Sequence, residues 1–421
     1  MELKRRAILE QVLVEDYAAE GKSIARIGGK AVFIENAVPG DVVDVRITKN
    51  KKDWAEGVAI YAHQYAPERV EAFCSHFGIC GGCKWQTLPY EKQLYYKEKQ
   101  VKDQLKRIGQ ILQPNPLPII GGLEQRYYRN KIEYTFSNKK YLTFEEIKNE
   151  NISSFQNVAG FHAAGIFDKV VDIDTCYLQQ EPTNKIRKLV KAFAIEKEYS
   201  FYDIKDHSGW LRTMQVRLCT TGELMVNIVF AYEEPLWRKE MLDHILKQEP
   251  GITTLLYTIN TKWNDSISDL QPITYYGKGY VIEKLEDFQF KIGPKSFFQT
   301  NTKQAERLYQ VTRDFAELKG KEVVYDLYCG TGSIGIFLSR LAKKIVGVEL
   351  IEAAIDDAKE NAQINKVDNA HFYSGDVSTV CTNAFFEQNG RPDVIVVDPP
   401  RIGLSEKLIQ QIVQLNASII V

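Results

Sequence analysis

The sequence has no apolar run long enough to span a membrane. Its start, Met1-Glu-Leu-Lys-Arg-Arg, leads into an apolar stretch already broken at Glu10. That excludes a secretory signal, so the expected compartment is the cytoplasm. There is no excess of either charge: 54 Lys and Arg face 55 Asp and Glu, a net charge of −1. A non-specific nucleic-acid binder is usually clearly basic, so bulk charge gives no support for RNA binding. The seven cysteines are odd in number, which without a secretory signal argues against a disulfide framework. No internal repeat and no low-complexity tract interrupts the 421 residues. What remains is a globular chain with ample core, 44% hydrophobic and 26% charged, and long enough for two to four domains.

Short β-type runs fill residues 7 to 62: Ala7-Ile-Leu-Glu-Gln-Val-Leu-Val, Ala31-Val-Phe-Ile, Val42-Val-Asp-Val-Arg-Ile and Gly57-Val-Ala-Ile-Tyr. Gly21, Gly28-Gly29 and Pro39-Gly40 punctuate them, the pattern of a small OB-type barrel. Glu20-Gly-Lys-Ser-Ile-Ala-Arg and Val38-Pro-Gly-Asp resemble the TRAM domain, an RNA-binding barrel of RNA-modifying enzymes. Lys49, Lys51 and Lys52, and Lys97, Lys99, Lys102, Lys106 and Arg107, form basic clusters that fit solvated faces as well as phosphate contacts. Tyr90 to Gly109 reads as a helix with Leu94, Val101, Leu105 and Ile108 on an apolar stripe. Residues 122 to 285 read as a mixed, largely antiparallel region, and from about 290 strands and helices alternate as in a parallel α/β sheet. Three parts are expected: a barrel at 1–66; a middle domain at 67–88 and 122–285; and a nucleotide-binding domain at 89–121 and 286–421.

In the last part an apolar strand, Glu322-Val-Val-Tyr-Asp-Leu-Tyr-Cys, runs into Gly330-Thr-Gly332-Ser-Ile-Gly335 and an apolar helix. Glycines there let a ligand approach the backbone at a helix N-terminus, although the pattern also fits NAD-binding enzymes. The next strand ends in Glu349, suited to the ribose hydroxyls. The one after ends in Asp376, placed for the adenine amino group; the bland alternative is that such acids only cap loops. The fourth strand ends in Asp398-Pro-Pro-Arg401-Ile-Gly403, a rigid turn that holds a target base in methyltransferases and that a dehydrogenase does not need. Arg401 stands where adenine amino methyltransferases place an aromatic residue.

Ser296-Phe-Phe-Gln299-Thr-Asn, Asp326-Leu-Tyr-Cys-Gly, Glu349, Asp376 and Asp398-Pro-Pro-Arg-Ile-Gly together resemble the RNA (uracil-5-)-methyltransferase family. Tyr127-Tyr-Arg-Asn-Lys-Ile-Glu-Tyr and Gly160-Phe-His extend the likeness over nearly the whole chain. The resemblance implies an α/β class I, Rossmann-like methyltransferase domain with an N-terminal OB-like TRAM barrel and a mixed α+β middle domain. It implies S-adenosylmethionine held by Gln299, Tyr328, Gly330, Gly332, Ser333, Glu349 and Asp376, with Asp398 and Arg401 at the target base. Ser333 stands where some members have Asn. Activity would be C5 methylation of a uridine through a cysteine–uracil adduct. A tRNA uracil-5 enzyme, an RNA cytosine-5 enzyme and a non-catalytic RNA-binding relative are the alternatives.

Cys74-x5-Cys80-x2-Cys83 puts three thiols within reach of one metal centre, a [4Fe–4S] cluster or zinc. The family's iron–sulfur members supply Cys176 as the fourth ligand, and barrel plus cluster together imply its 23S ribosomal RNA branch, working as a monomer. In the family the nucleophile lies in a Ser-Cys-Asn-Pro segment after the strand that follows the Asp-Pro-Pro turn, with a base carboxylate later. Here that strand is Ala417-Ser-Ile-Ile-Val421, so the expectation is a truncated, catalytically inactive chain.

Overall fold

The computed structural model describes residues 6–18, 21–149 and 151–421. Glu20, at the head of the TRAM-like turn motif, lies outside them. The chain forms two compact units, one of Met1–Gln125, Lys140–Ser154 and Gly160–Cys176, the other of Arg126–Lys139, Phe155–Ala159 and Tyr177–Val421.

In the first unit, strand periodicity is realised as six strands in one sheet. Their order is Ile8–Leu13, Val42–Asn50, Trp54–Gln64, Lys30–Glu35, Ser23–Ile27 and Asp16–Tyr17. Alternate residues of these strands, among them Leu9, Val12, Ala25, Val32, Ile34, Val43, Val45 and Ala55, meet in a single buried cluster. A flat sheet could not gather them so, and the sheet therefore curls around its own core. The Val38-Pro-Gly-Asp41 turn locks it. Asp41 is fully buried and accepts from the backbone N–H of Val38 (2.9 Å) and of Ala66 (2.8 Å), while the Arg69 guanidinium pairs with it.

The helix Tyr90–Arg107 forms where the apolar period places it, but none of its residues is buried. Val101 and Ile108 are exposed, which corrects the expectation of a packed stripe. Periodicity states which face is apolar, not whether a partner covers it. Three residues of the basic cluster here are internally paired, Lys102 with Glu98, Lys99 with Asp16 and Asp103, and Arg107 with Asp103.

Besides the antiparallel pair Val281–Leu285 and Phe288–Ile292, the second unit holds two larger sheets. One runs in the order Ile273–Tyr276, Thr254–Ile259, Leu224–Phe230, Leu211–Leu218 and Lys131–Lys139, followed by the first half of Phe155–His162. It is antiparallel except for the Leu224–Phe230 and Thr254–Ile259 pair, joined through the helix Pro235–Gln248. The other sheet is wholly parallel, ordered Ala370–Ser374, Lys344–Glu349, Val323–Leu327, Val394–Val397 and Ile419–Ile420. Buried clusters on its two faces cover it as a doubly wound Rossmann-like sheet requires. The helix Glu406–Leu415 starts on the Ser405 cap, whose hydroxyl accepts from Leu408 N–H. It buries Leu408 and Ile412, whereas Ile409 and Val413 beside them on the helix are exposed. Among the described residues no helix is long and apolar enough to cross a membrane.

Trp210 anchors the antiparallel sheet. It is fully buried, stacked on Phe230 with centroids 4.2 Å apart and edge-on to Tyr199 and Trp237. Trp210→Ala should lower stability by about 3–5 kcal/mol, read as an earlier urea midpoint.

Candidate functional site

Four strand ends and one loop of the second unit build the site. The glycine loop leaves Val323–Leu327 at Tyr328, whose φ of +65° is left-handed, and turns through Gly330 and Gly332 into the helix Ser333–Leu338. A Cβ on Gly332 would lie 2.8 Å from the Phe372 ring, and one on Gly335 would lie 2.8 Å from Ile345. These two glycines are thus dictated by close packing. Around Gly330, by contrast, a Cβ would meet nothing within 4 Å, so the loop has free space on that side. Ser333 is held by Tyr309, hydroxyl to hydroxyl at 2.8 Å.

The ordered acids surround this loop. Glu349 accepts from Gly330 N–H at 3.3 Å and from Ile351 N–H at 3.0 Å. Asp376 caps the helix Val377–Val380, accepting from Ser378 N–H at 2.9 Å. Both therefore also perform the loop-capping role that the bland reading gave them. Their charges, with burial first, raise the Tyr328 phenol. At the base of the loop Asp326 is fully buried. One carboxylate oxygen accepts from Gly335 N–H at 2.8 Å, and the other has no hydrogen-bond partner. Burial, and then the charges of Asp398 and Glu349, push it up to about 7. The Asp398 carboxyl is also raised, by desolvation, which a hydrogen bond from the Gln299 amide (3.3 Å) partly offsets. The structure thus brings Gln299, Tyr328, Gly330, Gly332, Ser333, Glu349, Asp376 and Asp398 to one end of the parallel sheet. Arg401 sits on the following turn, closed by Gly403 N–H to Pro400 O at 2.8 Å, and its side chain is exposed.

Sequence reasoning gave no role to the residues that hold the Gln299 loop. Asn130 donates from its side chain to Gln299 O (2.9 Å) and Thr302 Oγ1 (2.8 Å), and from its backbone to Thr300 O (2.7 Å). Thr302 in turn donates to the buried Glu283 at 2.8 Å. Arg217, fully buried, donates to Ser296 O at 3.2 Å, and desolvation lowers its guanidinium to about 10. Ser296 Oγ reaches Asp357 at 2.6 Å. Asn130 lies inside the Tyr127–Tyr134 motif, the one signal that could have found it. Such an arrangement offers carboxylates to hydroxyl and amino groups and a negative surround to a cation.

The cysteine loop belongs to the first unit. Backbone bonds from Phe77 to Cys74 O and from Cys80 to His76 O wind Cys74 to Cys80 tightly, and Cys80 Sγ accepts from Gly82 N–H at 3.4 Å. His76 Nε2 accepts from Asp174 N–H at 3.0 Å, which ties the segment bearing buried Cys176 to the loop. The expected metal site is not shown. Among the described residues no three His, Cys, Asp or Glu side chains are grouped to hold a metal ion. Burial, with the charges of Cys83 and Cys74, pushes the Cys80 thiol up to about 11. The structure and the comparisons thus do not show the expected [4Fe–4S] or zinc site.

Residues 271–421 match the family model for tRNA (uracil-5-)-methyltransferases, and residues 9–60 match that of the TRAM domain. A Bacteroides thetaiotaomicron protein described as an uncharacterized RNA methyltransferase is 47% identical over 94% of this chain and 88% of its own length. A Chlorobaculum tepidum protein of the same description is 37% identical over 99% and 88%. The crystal structure of Pyrococcus abyssi tRNA (uracil-54, C5)-methyltransferase with S-adenosyl-L-homocysteine superposes with a TM-score of 0.73 at 24% identity. It covers 97% of this chain and 89% of that one, a likeness of fold. Alignment over so much of both chains goes against the expectation of a truncated, inactive fragment, which is withdrawn.

The raised Asp326 carboxyl sets a pH dependence. A folded-state value above the unfolded one means that the native state binds the extra proton. Its stability contribution is therefore complete below about pH 4 and is lost as pH rises through about 7. Asp326→Asn keeps an acceptor for Gly335 and removes the charge. The variant should gain stability relative to the unmodified protein between about pH 5 and about pH 8 in denaturant titrations. A constant difference across that range would refute the assignment.

Proposed function

The chain belongs to the tRNA (uracil-5-)-methyltransferase family, and on that premise we propose that it methylates C5 of a uridine in RNA, with 23S ribosomal RNA as the substrate. The observation that carries the reading is the convergence of Gln299 and Asp398 with the open glycine loop at one end of the parallel sheet. S-adenosylmethionine bound there would supply the methyl group as a cationic sulfonium. The residues fit it: Gly330 leaves room at the backbone, Glu349 and Asp376 offer acceptors for ribose and adenine, and the carboxylates favour a positive charge.

Uracil C5 becomes nucleophilic when a thiolate adds to C6, and a base must afterwards take the C5 proton. We assign neither role to the thiols in hand. Cys219, Cys329 and Cys381 are buried and burial raises all three, while Cys74, Cys80 and Cys83 belong to the cysteine loop and buried Cys176 to the segment tied to it. Asp398 and Arg401 hold and orient the base, Gln299 fixes Asp398, and Asn130 fixes Gln299 through its backbone. The TRAM-like barrel supplies RNA affinity beyond the target base; in it Lys49 lies 4.8 Å over the Trp54 ring. The choice of ribosomal RNA over tRNA rests on the pairing of that barrel with the cysteine loop.

Glu349→Ala should weaken S-adenosylhomocysteine binding by about 1–3 kcal/mol in calorimetry, through lost charge-assisted hydrogen bonds. Unchanged affinity would displace the cofactor from this loop. In cells lacking the gene, one 5-methyluridine should vanish from 23S ribosomal RNA and return with the unmodified gene. Loss from tRNA alone would overturn the substrate, and loss of a methylcytidine would overturn the reaction.

A further inference from the structure

Trp263 is 74% exposed, yet the loop that carries it is one of the most firmly held in the second unit. Arg212, 1% exposed, spends its guanidinium on that loop. It donates to Asn260 O (2.7 Å), Lys262 O (2.6 Å) and Asn264 O (2.9 Å) and pairs with Asp265 at 2.7 Å, while its plane covers the Tyr202 ring at 4.1 Å. The Trp263 indole lies flat on His207, with ring centroids 4.8 Å apart and planes 9° apart.

His207 comes from a different loop with an anchor of its own. Asp203, nearly fully buried, pairs with the buried Lys139 at 2.7 Å and accepts from the backbone N–H of Lys205 (2.9 Å) and Asp206 (3.2 Å). That turn sets His207 at a left-handed φ of +50°. Two loops are thus each fixed by a buried charged side chain, and the product they share at the surface is one imidazole–indole stack. Burying charge is expensive unless it is fully satisfied. Folding alone has no use for an exposed indole held this way.

We propose that this stack is a docking platform for an unpaired nucleobase of the RNA substrate, flanking the target uridine. The inference rests on the RNA methyltransferase reading above. A large, rigid π-face loses little entropy on binding and accepts any base, as single-stranded nucleic-acid sites require. Continuity with the candidate site supports the same occupant. Lys295, on the loop that leads to Gln299, donates to Ser268 O (3.2 Å) and Leu270 O (2.9 Å) of the Trp263 loop, so a cation ties the two loops together. Phosphates joining two neighbouring nucleotides would meet that cation.

The test measures binding of a uridine-containing single-stranded RNA by fluorescence anisotropy for the full chain, Trp263→Ala and Trp263→Phe. Trp263→Ala should raise Kd about tenfold, as loss of one base–aromatic stack does. Trp263→Phe should restore most of the affinity, and S-adenosylhomocysteine binding should be the same in all three. If the unmodified chain binds the cofactor but no RNA, the RNA reading falls and the platform with it. If it binds RNA and Trp263→Ala binds as tightly, only the platform falls, and the exposed indole belongs to a protein partner. Equal loss in both variants would also overturn stacking.

Discussion

Asn130 is the residue on which the larger unit turns. It ends the segment leading into Lys131–Lys139 of the antiparallel sheet, and all its polar ties but one run to the loop of the methyltransferase half. Its carbonyl accepts from Leu218 N–H at 2.8 Å, its N–H donates to Thr300 O, and its amide donates to Gln299 O and Thr302 Oγ1. At 4% exposure these bonds are shielded from water, so breaking one leaves buried groups unsatisfied. Thr302 passes the constraint to Glu283, and Arg217 adds a second tie through Ser296. The position of Gln299 is inherited from a sheet that carries none of the proposed chemistry.

Around that frame the site concentrates negative charge. Burial first, and then the charges of Asp398 and Glu349, hold the Asp326 carboxyl up at about 7. An isolated acidic cluster of this kind is destabilising. It becomes favourable when a cation enters, because the charges that repel one another all attract it. A chain selected for stability alone would remove the unpartnered oxygen of Asp326; a chain that binds a sulfonium has reason to keep it.

Much of the parallel sheet was legible because its signals are local. The strand before Gly330, the acids at successive strand ends and the Ser405 cap each occupy a few consecutive residues. What could not be read depends on partners far along the chain. Nothing in the sequence ties Asn130 to residues 169 and 172 positions away. The stripe on Tyr90–Arg107 and the pair Ile409 and Val413 have the right period and no cover. In the cysteine loop the spacing specified proximity, and the bond from Gly82 N–H to the Cys80 sulfur is a detail it did not foretell.

Bond lengths divide the site into parts that hold and parts that yield. The Asn130 contacts anchoring the Gln299 loop to the sheet are 2.7 to 2.9 Å, near the optimum for N–H···O bonds. Those facing the open end, Gln299 to Asp398 and Gly330 to Glu349, are both 3.3 Å. A long bond at a partly wet surface is worth little, and exchanging it for a shorter one to a ligand hydroxyl or base edge is favourable. The backbone thus needs no rearrangement for the side chains to change partners. Binding then requires only that Asp398 and Glu349 trade weak internal donors for better external ones, on a loop that Asn130 and Arg217 have already fixed.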